Sequence, residues 1–595
     1  MAKLRRSLNL SVKSVVLSIQ ILATAIVATN AVASPADTEF ESLAEKIWQY
    51  RLQQSPLNAS YYGIEIDPAG MPDNSPAALA AEYKATQAQL RALEELDTTR
   101  LNEQNGINLA VLRHRLLNVA DSYKFNAHQV PITAEGGFHT SLGFLPGSTN
   151  FNEEQDFSNY LSRLKAFPEY FAQQIAWMRQ GLEAGNSQPS VVLQGFEQSI
   201  DGYLTQDVTK NPFYRPFNND YDFVEQKQWA QLQQKAQGVI KQAVMPAYRQ
   251  FRQFMTEEYI PQARKSIGVG ETPNGLEFYA NRAKHYTTTD MTPKQIHQLG
   301  LSEVKRIRAE MAKIIEQVEF KGSFSEFLQF LRTDPQFYAE TPEQLLMQAS
   351  FIAKQMDAKL PSLFKHLPRT PYGVAPVPEH IAPKYTTGRY VGASKETDAG
   401  YYWVNTYALD RRPLYELEAL TLHEAVPGHH LQISLSREME NTPLYRSSYY
   451  MSAFGEGWGL YSEWLGLEAG FYRDPYSNFG RLTYEMWRAS RLVVDTGMHV
   501  LGWTRQQAID FMKENSALSE HNITTEVDRY ISWPAQALSY KIGELTIKRL
   551  RTKVEKALGS KFDVRNFHYQ VLKNGSVPLS VLEQQIDAYI SVASK

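Results

Sequence analysis

Apolar and polar positions alternate with a helical period along most of this chain. Stretches with apolar residues three and four apart cover 39–53, 77–96, 105–120, 157–184, 223–256 and 293–317, and each predicts an amphipathic helix. Thr292-Pro293 and Thr341-Pro342 mark helix starts, with threonine as cap and proline in the first turn. Ser323-Phe324-Ser325-Glu326 reads as another start. The pattern changes between about 358 and 412, where prolines, glycines and aromatics gather. Gly400-Tyr401-Tyr402-Trp403-Val404-Asn405-Thr406 is β-prone and bounded by turn residues, so a small sheet is expected at about 370–410. Helical periodicity resumes near Pro413 and runs almost to the C-terminus. No internal repeat or low-complexity segment is present.

The first 33 residues follow a different rule. Lys3, Arg5, Arg6 and Lys13 form a basic start, an apolar run follows, and Ala31-Val32-Ala33 closes it with a small-x-small pattern. This predicts a signal peptide at 1–33, cleaved after Ala33, and an exported protein, periplasmic or secreted, with no stable membrane anchor afterwards. The length of 595 residues exceeds one ordinary core. The expected division is an N-terminal helical lobe at 34–290 and a catalytic helical lobe at 291–595 that holds the sheet. A net charge of -3 shows no footprint for nucleic acid. The chain has no cysteine, which excludes disulfides, thiolate nucleophiles and Cys-ligated zinc. A metal would have to be held by His, Asp or Glu.

Such a set occurs in His423-Glu424-Ala425-Val426-Pro427-Gly428-His429-His430, within a helical pattern running over 414–438. Three of the chain's 13 histidines fall inside eight residues. Zinc suits imidazole and carboxylate donors. The H-E-x-x-H spacing is not met, because Pro427 occupies the fifth position. On an ideal helix His430 would share a face with His423 to within about 20°, while His429 would lie about 120° away. Pro427 and Gly428 prevent an ideal helix there, so spacing leaves His429 and His430 both open. Glu456, flanked by Gly455 and Gly457 in an aromatic stretch, is the candidate third ligand, with Glu463 as its rival on the same face. Glu424, next to the first ligand, is placed to act as general base toward a zinc-activated water. Asp495 and His499 lie four apart on one helical face, where the acid could orient a ligand imidazole and His499 could bind substrate. Tyr540 is the candidate oxyanion donor, and Arg491, with Arg488, could bind a peptide carboxylate or pair with Glu485 and Asp495.

Taken in order, 422–432, 455–463, 491–499 and 530–543 resemble the bacterial "domain of unknown function 885" family, grouped with the zincin metallopeptidases. The resemblance runs from about 40 to 590. It implies a mainly α, zincin-like fold with a small β-sheet beside the active-site helix. The edge strand of that sheet would bind extended peptide at 400–406, through Tyr402 and Asn405. It also implies that His429 is the second zinc ligand and that the glutamate of the next helix, Glu456, is the third. The expected function is hydrolysis of short peptides by a Zn(2+)-dependent metallopeptidase. The alternatives are a non-catalytic peptide-binding scaffold and a metal-dependent hydrolase of a non-peptide amide or ester.

Overall fold

The computed structural model describes residues 34–595 except 380 and 394–396, so the expected signal segment lies outside the described residues. The protein is mainly helical, with a two-stranded hairpin at Ile132–Thr133 and Gly136–Gly137 and one three-stranded sheet. The expected caps form. Thr292 and Ser323 each close a reciprocal capping box, and the Thr341 side chain accepts from the Gln344 amide. Proline explains where single predicted helices divide. The stretch predicted over 157–184 is two helices, Glu154–Lys165 and Phe167–Glu183, because Pro168 has no N–H to continue the ladder. The stretch predicted over 223–256 begins at Gln226 and widens into π-turns at Ile240–Val244 and Met255–Tyr259, next to Pro246 and Pro261.

The small sheet has the strand order Tyr372–Pro376, Gly400–Val404, Gly388–Val391. The first pair is parallel and the second antiparallel. Gly400–Val404, expected at the edge, is therefore the central strand, and Gly388–Val391 is the edge strand nearest the His423 helix. One cluster of buried apolar side chains extends from Ile107 to Ile586, so the segments on either side of residue 290 share a core.

The middle of that core is the helix Pro475–Val500, buried on every face from Phe479 to His499. It packs along Pro293–Gln317. Its polar residues Arg481, Glu485, Arg488, Arg491, Asp495 and His499 are all buried, so each needs an internal partner. Lys541, with no exposed surface, meets Glu485 at 2.8 Å, Glu544 at 2.6 Å and Glu303 at 3.2 Å. That buried knot joins this helix to Pro293–Gln317 and Ser539–Leu558. Among the described residues no helix is long and apolar enough to cross a membrane.

Candidate metal centre

The helix Leu417–Glu424 carries His423 and Glu424 and stops there. Residues 425–428 leave helical geometry (Ala425 ψ -116°, Gly428 ψ -127°), and a new helix runs His429–Arg437. The break is enforced at close range. A Cβ on residue 428 would lie 1.9 Å from the His423 carbonyl oxygen. The loop is pinned by the Trp458 indole, which donates to the Pro427 carbonyl at 2.8 Å. Because the second helix restarts its phase, His429 and not His430 comes round to His423, with ring centroids 4.7 Å apart and planes nearly perpendicular.

Glu456 arrives on the neighbouring helix Ser452–Ala469. Its Oε2 lies 3.6 Å from His423 Nε2 and 3.4 Å from His429 Nε2. One donor atom from each of the three residues falls within 4.8 Å of the other two. Glycines bring this helix so near. A Cβ at 459 would stand 2.5 Å from the His423 ring, and one at 457 would stand 2.5 Å from the backbone of Gly543. Gly543 in turn faces the Ala453 carbonyl, so Ser452–Ala469 and Ser539–Leu558 meet backbone to backbone.

A second rank of side chains fixes this group. Glu463 Oε1 accepts from His423 Nδ1 at 2.8 Å and lies 3.4 Å from Arg488. Glu463, the rival ligand, thus sits behind His423, where it leaves Nε2 turned to Glu456. Glu456 Oε1 accepts from the Tyr450 hydroxyl at 2.9 Å. Burial disfavours charge at both His423 and Glu456, but the mutual attraction outweighs it. His423 is pushed up to about 9 by Glu456, Glu463 and Glu424, and Glu456 is held well below the usual carboxylate range by His429 and His423. Two imidazoles and one carboxylate, packed together and supported from behind, fit the donor set of a divalent ion such as zinc. Glu424 lies alongside, with Oε2 fixed by the Tyr390 amide of the edge strand at 2.8 Å.

The family of bacterial proteins of unknown function DUF885 matches residues 56–586. The chain belongs to that family. A solved structure of a candidate lipoprotein from Colwellia psychrerythraea is 29% identical, with a TM-score of 0.84 over 94% of this chain and 100% of that one. A second, of a candidate lipoprotein of unknown function from Shewanella oneidensis, is 20% identical, with a TM-score of 0.71 over 92% and 99% of the two chains, and is alike in fold. Comparison with curated proteins gives no match.

Several residues expected to meet substrate in this DUF885 chain lie instead in its frame. Tyr402 has no exposed surface, and its hydroxyl takes a hydrogen bond from Thr421. Asn405 is fully buried, and its amide donates to the carbonyls of Ala382, Tyr385 and Thr386. Arg491 is buried against Glu526 at 2.9 Å and against the Tyr530 hydroxyl. His499 accepts from the Val269 amide through Nδ1 and donates to the Tyr530 carbonyl through Nε2. Asp495 is bonded to neither His423 nor His429; it takes hydrogen bonds from Tyr279 and the Ala535 amide. Tyr540 is half-buried, with the Arg491 guanidinium 4.2 Å over its ring. His430 faces the sheet, where it meets the Tyr390 hydroxyl at 3.0 Å and packs on Tyr372.

Two residues at the centre were missed. Tyr450 reaches Glu456, and the missing side chain of Gly455 makes room for its ring. Arg389, exposed on the edge strand, lies within electrostatic range of Glu424 and Glu456. Sequence carries little signal for either, since Tyr450 is one of 33 tyrosines and Arg389 belongs to a strand that the pattern did not resolve.

Proposed function

We propose that this protein is an exported zinc-dependent peptidase that hydrolyses short peptides. The observation that carries the proposal is the convergence of His423, His429 and Glu456 beside the carboxylate of Glu424. His423, His429 and Glu456 would hold the ion, which when bound supplies Lewis acidity of the kind that lowers the pKa of water from about 15.7 to about 7.

The chain's own groups account for the remaining work. Glu424 is anchored through Oε2 by the Tyr390 amide, so Oε1 is the atom that takes a proton from the attacking water and returns it to the leaving amine. Tyr540, close to the Tyr450 hydroxyl that is held on Glu456, is the donor for charge developing on the substrate oxygen. Arg389 takes the place first given to Arg491, as the cation for a peptide carboxylate. Export is supported by the basic–apolar–small pattern of residues 1–33 and by the two structural relatives described as candidate lipoproteins.

The test is metal analysis of purified protein together with a peptide-library digest read by mass spectrometry, for wild type and Glu424→Gln. The expected result is one zinc per chain in both proteins and a loss of hydrolysis in the variant of roughly 10²–10⁴-fold. A metal-free wild type, or a variant that digests the library as wild type does, refutes the proposal. Retained zinc with tight peptide binding and no cleavage would establish the scaffold reading instead.

A further inference from the structure

A second cavity lies away from the metal centre, at the far end of the helix His429–Arg437. It has a volume of about 360 Å³ and an open mouth, which is within the range of small-molecule sites. Its apolar lining comes from Phe364, Leu367, Leu435, Met439 and Leu572. Leu367 is 42% exposed, which leaves apolar surface in water at the mouth. The floor is pre-formed. Phe364 stacks on His568 at 4.7 Å, and both ring nitrogens of His568 are spent, on the Leu363 carbonyl and the Tyr461 hydroxyl. A cavity held this way needs little ordering when a ligand enters.

The rim is cationic. Lys365, Arg369 and Lys573 line it, and Glu438 is the one carboxylate among the lining residues. Glu438 is already engaged. It takes the amides of Arg369 and Thr370, the Thr370 hydroxyl and the Arg369 guanidinium. Lys573 has only a loose contact with Glu103, 3.5 Å away at the surface. Lys365 is exposed and has no ion-pair partner among the described residues. Two lysine charges therefore stand over an apolar hollow with nothing strong to neutralise them.

From this juxtaposition we propose that the cavity is a binding site for an amphipathic carboxylate of the fatty-acid class. The tail fills the hollow between Phe364, Leu435 and Leu572, and the head meets Lys365 and Lys573 at the rim. The site is independent of the proposed peptidase chemistry, since none of its lining residues belongs to the metal centre.

The test is calorimetric titration of the full protein with decanoate, decanol and decyltrimethylammonium at low and high salt. Lys365→Glu/Lys573→Glu serves as the charge-reversed variant. Both lysines are surface groups, and the melting curve of the unliganded variant reports its folding. Decanoate is expected to bind once per chain with sub-millimolar affinity, and decanol at least about tenfold more weakly, the contribution of the two rim lysines. Added salt should weaken decanoate alone. The variant should lose about tenfold toward decanoate and gain toward the ammonium amphiphile. Absence of saturable decanoate binding, equal affinity for decanol, or a folded variant that binds decanoate as wild type does overturns the proposal. The salt and alcohol comparisons on wild type decide the matter if the variant does not fold.

Discussion

Replacing Gly459 by alanine tests whether the proposed metal centre depends on how closely two helices approach. The added methyl would lie 2.5 Å from His423 Cε1, 2.7 Å from Nε2 and 2.9 Å from Nδ1. The imidazole has no free direction of retreat, because Nδ1 is tied to Glu463, and Glu463 is buried beside Arg488. Overpacking of this kind costs about 1–3 kcal/mol, and the exchange of glycine for alanine inside a helix returns about 0.5–1 kcal/mol. Stability of the apo-protein should therefore fall by no more than about 2.5 kcal/mol. Metal affinity should suffer more, since displacing a ligand's support weakens binding by about 10–100-fold. Zinc at a hundred times the wild-type dissociation constant stabilises wild type by about 2.7 kcal/mol, but would stabilise the variant by about 0.4–1.4 kcal/mol. Competition with a chromophoric chelator measures the first quantity, and chemical unfolding with and without zinc measures the second. A Gly459→Ala protein that binds zinc within about threefold of wild type would refute the reasoning.

His429→Ala should abolish stoichiometric zinc, whereas His430→Ala should retain it, and metal analysis separates the two. Lys541→Met leaves Glu303, Glu485 and Glu544 buried without their shared cation, so the urea midpoint should fall by the equivalent of about 3–5 kcal/mol. Burial pushes Asp495 from its ordinary 3.8 up to about 7, against the pull of its Tyr279 and Ala535 hydrogen bonds. The folded state then holds a proton that the unfolded chain releases, so this group's contribution is greatest below about pH 4 and is lost as pH rises toward 7. The stability of wild type relative to Asp495→Asn should decline across that interval, by at most about 4 kcal/mol, in paired denaturant titrations. A difference independent of pH would show that Asp495 is ionised in the fold.

Much of the helical framework was legible because its signals are local. Thr292, Ser323 and Thr341 specify their helix starts through side chains three residues from their targets. The choice between His429 and His430 was not legible from spacing. The rotation between them depends on how residues 425–428 turn, and that turn is held by Trp458 from a different helix. Tyr402 lies on a strand that was recognised, and Asn405 directly follows it, but whether a strand is central or marginal depends on its partners. Here Tyr372–Pro376 pairs on the far side and closes it in. Arg491 and His499 have the helical spacing of a functional face, yet the same spacing serves a polar stripe sealed inside the protein. Only the surrounding helices, with Glu526, Val269 and Tyr530, tell the two apart.

The contact between Gly457 and Gly543 ties the centre to a remote part of the polypeptide. A nascent or translocating chain that has not yet delivered residue 543 lacks the surface on which the Glu456 helix is seated. Until then the eight-residue histidine segment can offer an ion two imidazoles and no third donor held in place. On the proposed function, loading with metal would belong to a late stage of maturation, after the helix Ser539–Leu558 has docked.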